Sequence, residues 1–349
     1  MTNLTSGTRL RVGWLLALLA ATAVHAEDST APGFALSRFE PAGRGSRFFG
    51  SETLDWRKGP TLGLVGDYAY KPLVIYQVDG ASQTEVATLA KHFALGYLGG
   101  TWAPIAPLRV GAELPVLLYG EGSPGQIGLV SYQAPRQTGV GDLRLLADWR
   151  FWGGASDPFR AGLGVKLFLP TGDRTAYQGE GTFRGTIQLQ AAGEAFTWFG
   201  WAARFGFHLK GTDTTFAGGQ IGSEMQAGLA LGARLMDGRL TVGPELAAAT
   251  TLKSAFSAGS TSVDLLVGAH YDISSQWRVG LGVGRGATVA LGSPSFRGLL
   301  NVEWVPPTEE GCQPYKEQLA AQQALAAREA EARAQAEKAA AEARELKAA

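Results

Sequence analysis

The sequence holds a single cysteine, Cys312, among 349 residues. No internal disulfide can form, so the thiol stays free or pairs between chains; the free form is expected. Long apolar runs are also missing. Beyond the first residues no stretch reaches the ~18 uninterrupted apolar residues that a spanning helix requires. Neither sign of charge dominates, with 31 Lys and Arg against 31 Asp and Glu, so nothing marks a nucleic-acid partner. No Gly-x-Ser-x-Gly elbow is present. A nucleophile, histidine and carboxylate cannot be brought together from the sequence. Catalytic residues, metal ligands and cofactors are therefore not expected, and the chain does not read as an enzyme.

The first residues carry an export pattern. Arg9 and Arg11 precede the apolar run Val12 to Val24, and Val24-His25-Ala26 is a small-residue cleavage pattern before Glu27 and Asp28. A run of about thirteen residues is a signal peptide rather than a span. Residues 1–26 are read as that signal, and 27–60 as a lead or plug segment.

Between Thr61 and Trp304, twelve stretches alternate apolar with polar or small residues. Phe183 to Ala191 shows the pattern: Phe183, Gly185, Ile187 and Leu189 alternate with Arg184, Thr186, Gln188 and Gln190. Leu143, Leu145, Ala147 and Trp149 alternate with Arg144, Asp148 and Arg150, and Trp277, Val279, Leu281 and Val283 with Arg278 and glycines. Such a segment shows one face to an apolar medium and the other to a polar one. Two residues resist. Lys91 falls on the apolar phase, and Pro244 should produce a bulge or local break because it lacks a ladder donor. Short connectors are expected at 99–104, 153–158, 195–196, 236–238 and 273–275. Longer ones are expected at 77–83, 119–138, 170–181, 211–221, 252–259 and 287–293. They alternate in order, as periplasmic turns and extracellular loops do in outer-membrane barrels. A soluble sandwich would have to bury about thirteen basic and ten acidic inward residues in a dry core, at several kcal/mol each. The reading is all-β: a transmembrane antiparallel barrel of about twelve strands over 61–305, followed by a C-terminal α-helical tail over 306–349. It places the protein in the outer membrane of a Gram-negative bacterium, in contact with its lipid and with both termini periplasmic.

Candidate pore-lining residues on the polar phase are Arg144, Asp148, Arg150, Arg160, Lys166, Arg184, Arg204, His208, Glu224, Arg234, Asp264, His270 and Arg278. Arg144, Arg150, Arg160, Lys166, Arg184 and Arg204 fall on consecutive strands, a basic wall that favours anions. His92, His208 and His270 are all read as inward but on separate strands, which suits neither a metal nor a proton site. Gly280, Gly282, Gly284 and Gly286 leave a smooth inner wall. Phe34, Phe39, Phe48 and Phe49 in the lead segment are plug candidates that could lie against it; the alternative places them at the periplasmic rim.

Several local patterns carry a resemblance. Gly139-Val140-Gly141-Asp142-Leu143-Arg144-Leu145 opens a strand, Leu169-Pro170-Thr171-Gly172-Asp173 closes the next, and Gly292-Ser293-Pro294-Ser295-Phe296-Arg297 enters the last. Leu36 to Ala42 and Arg47-Phe48-Phe49 precede them. Together they resemble the barrel of myxobacterial-type OmpA-like outer-membrane proteins and the outer-membrane transporters grouped with phenol degradation. The resemblance implies a porin-like envelope barrel. In OmpA-like relatives a helical segment leads to a peptidoglycan-gripping domain; the sequence lacks that domain, so peptidoglycan binding is not expected. Tyr315 to Ala349 is rich in Ala, Glu, Gln, Arg and Lys, the strongest helix formers, but its apolar positions are mostly alanine. A solvated helix that could meet a periplasmic protein through residues 315–349 is expected. Two functions follow: a passive channel for small solutes, apolar ones among them, or a structural barrel anchoring that helix for a partner.

Overall fold

In the computed structural model, the residues described are 33–79, 82–127, 130–217, 219–257 and 259–305. The signal segment, Cys312 and the tail lie outside them. The strands are β1 Gly59–Asp79, β2 Ser82–Ile105, β3 Leu108–Glu121, β4 Arg144–Trp152, β5 Phe159–Phe168 and β6 Arg184–Phe196. They continue with β7 Phe199–Lys210, β8 Glu224–Leu235, β9 Leu240–Thr251, β10 Thr261–Asp272, β11 Trp277–Gly286 and β12 Phe296–Trp304. Each pairs antiparallel with its neighbours, and β12 closes on β1, with Leu62 opposite Trp304 and Tyr70 opposite Phe296. A two-residue strand, Gly139–Val140, adds to β3 just ahead of β4. Closure leaves no edge of unpaired amides, which hydrocarbon would not tolerate. Among the described residues there is no α-helix, only the 3-10 turns Arg174–Ala176 and Leu252–Ser254.

Sequence alternation becomes facing. Leu145, Trp149, Leu189, Phe205, Leu265, Leu281 and Leu300 are exposed on the outer wall, while Arg144, Asp148, Gln190, Arg204, Asp264 and Asn301 between them are buried inside. Trp102, Trp152, Phe159, Phe196, Trp198 and Trp277 ring the end with the short turns, as an interfacial aromatic girdle does. The β8–β9 turn runs through Met236, Asp237 and Gly238, all at positive φ.

Two expectations need correction. The first hairpin is longer than expected: β2 continues through 99–104 and turns only at Ala106-Pro107, and strand pairing also occupies much of 77–83. Register shifts between Tyr70 and Leu73, beside Lys71 at φ 51, interrupt the regular pairing partway along and make strand look like loop. His92 faces outward, where Tyr68 Oη lies 2.7 Å from its Nδ1. The inward residues of that strand are instead Phe93, Leu95 and Tyr97, all buried, so polarity no longer marks the face. The two termini, expected on one side, lie outside the described residues. Gly59 and Trp304 sit at the short-turn end, but Gly33 lies at the long-loop end, its carbonyl accepting from Arg174 Nε at 3.3 Å. The even strand count governs the barrel alone; the lead segment runs through the lumen before β1 begins.

Pro244 acts as its missing donor dictates. Pairing between β8 and β9 skips Leu231-Gly232 and Gly243-Pro244, then resumes in the same register at Ala233 opposite Val242. The break is local, without a bulge.

Outward Leu281 sits mid-strand, so Leu281→Arg should destabilise the folded barrel by about 2–4 kcal/mol, whereas Trp277→Arg at the girdle should cost about 1 kcal/mol or less. Urea unfolding in lipid vesicles measures both.

Candidate functional site: the barrel lumen

The lumen is filled from end to end by residues 33–58. At the long-loop end Phe34 packs edge-on against Tyr177 and Phe216, with ring centroids 5.6 and 5.0 Å away. Leu36 N donates to Tyr177 O at 3.1 Å. Phe39 packs with Phe49, Leu266 and Leu299 beneath the Arg297 guanidinium, 4.9 Å from its ring. Residues 42–52 then fold back on themselves: Ala42 N donates to Phe49 O at 2.7 Å, Ser46 Oγ donates to Ser51 O at 2.7 Å, and Gly43 N donates to the Glu52 carboxylate. At the short-turn end Trp56 Nε1 donates to Ala106 O at 2.9 Å.

Glycines on the wall make room for this thread. A Cβ at Gly268 or Gly282 would lie 2.9 Å from the Phe49 ring, and one at Gly232 would lie 2.9 Å from Phe48. No branched or bulky residue fits at those wall positions without moving a ring.

Charge complements shape. Arg44 pairs with Glu113 at 2.7 Å, and Arg109 reaches both Glu52 at 2.7 Å and Asp148 at 2.6 Å. Arg144 bridges Glu40 at 3.3 Å and Glu113 at 3.0 Å; Lys166 lies 3.7 Å from Glu40. Arg38 meets Glu224 at 3.5 Å. Other wall cations donate to lead-segment carbonyls: Arg150 to Leu54, Arg160 to Thr53 and Arg278 to Gly45. In return the wall's Glu245 accepts from Phe49 N and Gly50 N, each at 2.8 Å. Burial alone would push the Glu40 carboxyl up, but Arg144, then Lys166, outweigh it and hold it below the ordinary carboxylate value.

The structure buries eleven of the thirteen pore-lining candidates on the inner wall; Lys166 and Arg234 are half-buried there, near Glu40 and Glu194, and Phe34, Phe39, Phe48 and Phe49 are buried within the lumen. It does not gather the histidines. His208 Nδ1 lies 2.7 Å from Thr186 Oγ1, and His270 packs at a tilt against Phe49. The basic wall is largely neutralised: Arg184 pairs with Asp142 at 2.6 Å, and within the cluster Arg204 alone has no ion pair or carbonyl partner among the described residues. Sequence reasoning missed the wall partners Asp67, Arg109, Glu113, Glu245 and Arg297, and the charged lead residues Arg38, Glu40, Arg44 and Glu52. A signal existed in the lead segment, where charges interleave with the aromatics.

The inward position of the charges, the outward apolar band and strand closure are those of a known group. The model of the family "Putative MetA-pathway of phenol degradation" matches residues 26–292. The chain belongs to this family. Among solved structures it is similar to the COG4313 outer membrane channel from Pseudomonas putida F1, at 16% identity and a TM-score of 0.53, over 72% of this chain and 96% of that one. It is also similar to the NanC porin (8% identity, TM-score 0.46, 71% of this chain and 100% of that one). A third similar structure is the P. putida toluene transporter TodX (10% identity, TM-score 0.42, 79% and 99%). No curated protein matches the sequence. These findings support the phenol-degradation side of the resemblance; the OmpA-like side rests on the sequence motifs alone.

Removing one partner of a buried pair leaves the other uncompensated, so Arg144→Met should cost about 3–5 kcal/mol, and adding Glu40→Gln should recover part of it. Because the Glu40 pKa is depressed on folding, its contribution is complete above the unfolded value, 4.5, and is lost as pH falls through the folded value. Urea midpoints of wild type and Glu40→Gln should differ at pH 7, and the difference should shrink as pH falls below 4.5.

Proposed function

We propose that the protein is a non-enzymatic, passive outer-membrane channel for small, largely apolar aromatic solutes, held shut in this state by residues 33–58. The observation that carries the reading is a lumen segment bound through side chains and carbonyls rather than built into the sheet. Such a segment can leave without breaking a strand pair. Membership of a phenol-degradation family supports the solute class.

The short-turn end with its tryptophan girdle is assigned to the periplasm and the long-loop end to the outside. A signal peptide over 1–26, a helical tail over 306–349 and a periplasmic partner for residues 315–349 complete the proposal, as does the OmpA-like relationship. A filled lumen equally favours a structural barrel anchoring that tail, and conductance separates the two.

In planar bilayers the full chain should show little steady conductance, and deletion of residues 33–50 should raise it several-fold. Deleting residues 315–349 should change little. In a salt gradient the opened form should prefer anions, because Arg144 and Lys166 lose Glu40. Unchanged conductance after the 33–50 deletion would favour the structural barrel, and a cation-selective reversal potential would refute the basic-wall argument.

A further inference from the structure

The wall behind Phe49 is built in two rows. On neighbouring strands Gly243 stands opposite Gly268, and Gly268 opposite Gly282, giving a flat floor without side chains. Two residues nearer the short turns, Thr241 stands opposite His270, His270 opposite Gly280, and Gly280 opposite Asn301. The Phe49 ring covers the floor and meets His270 at a tilt of 49°, with centroids 4.4 Å apart.

The second row is polar and unsatisfied. His270 is 2% exposed, and both its Nδ1 and Nε2 lack a hydrogen-bond partner. Thr241 Oγ1 and Asn301 Oδ1 are likewise buried and unpartnered. His270 leans over the gap at Gly280, where a Cβ would lie 2.9 Å from Nδ1 and 3.2 Å from Asn301 Cβ. Leaving such groups unmatched against a phenylalanine ring costs free energy that a ligand carrying one hydroxyl would recover. A flat apolar floor fits a planar ring. A row offering both donor and acceptor atoms at one edge fits a hydroxyl on that ring, and the Glu245 carboxylate, 3.3 Å from a Cβ at Gly268, disfavours an anionic ring.

We propose that the floor at Gly268 and Gly282, with His270, Thr241 and Asn301 at its edge, is a binding seat for a monohydric phenol, and that Phe49 is the chain's own ring holding that place. The inference rests on the plug reading, since the seat is free only when Phe49 withdraws. Withdrawal requires release of the Phe49 and Gly50 amides from Glu245, which makes the segment around 49–50 the contact between solute and plug.

The test uses the full chain in detergent micelles, with phenol and toluene as probes and ligand-observed NMR against protein-free micelles. Wild type should bind neither above background. Phe49→Ala should bind phenol about tenfold more tightly than toluene, the worth of about one hydrogen bond. Adding His270→Leu should erase that preference, and adding Gly282→Leu should abolish binding of both. The proposal is overturned if Phe49→Ala binds phenol no better than wild type. It is equally overturned if His270→Leu leaves the preference intact, in which case the polar row holds ordered water only. If Phe49→Ala does not refold, judged by its heat-dependent gel shift, Phe49→Val reads out the same comparison. Conductance of the same variant keeps the two readings apart. Raised conductance without phenol binding sinks the seat alone; phenol binding in a 33–50 deletion that stays non-conducting sinks the channel and leaves the seat.

Discussion

A sheet that turns its apolar face to lipid must turn its polar face inward, and inward charges need partners. In this barrel some partners stand across the wall, as Asp67 and Asp264 do for Arg297, and others come from the lead segment. Glu40 serves Arg144 and Lys166, Glu52 serves Arg109, and lead-segment carbonyls serve Arg150, Arg160 and Arg278. The wall answers with Glu113 for Arg44 and with Glu245 for two amides. Neither surface is satisfied alone, so the lumen and its thread are one electrostatic unit.

That dependence shapes the rest of the fold. Wall glycines sit where rings of the thread press, and wall aromatics such as Tyr97 sit where the thread runs closest, its hydroxyl 3.1 Å from Ser37 Oγ. Strand closure carries the backbone through hydrocarbon and leaves the thread outside the ladder. The segment that fills the pore is thereby the part whose departure costs no strand pairing, a division of labour that suits a gate.

Strand number and facing were legible because lipid imposes a strict rule on every second residue, as at Phe183–Ala191 and Trp277–Val283. The rule fades where the inner wall meets the thread. On β2 the inward Phe93, Leu95 and Tyr97 are as apolar as the outward residues, and His92 is assigned to the wrong face. The first hairpin reads short because irregular pairing around Lys71 breaks the period. Ion pairs such as Arg109 with Glu52 join residues far apart in sequence and depend on how the thread lies, which no spacing encodes. The phenylalanines of the lead segment were visible as residues in want of a surface; the row of Thr241, His270 and Asn301 was not, because it exists only through the register of four strands.

The central claim is that residues 33–58 form a folded part of the lumen rather than a loose leader. Amide hydrogen exchange of the full chain in micelles, followed by mass spectrometry over residues 39–54, tests it directly. The account predicts protection within this segment approaching that of β3, concentrated at Ala42, Phe49 and Gly50. Exchange at the rate of an unfolded chain, with the barrel strands protected, would contradict it.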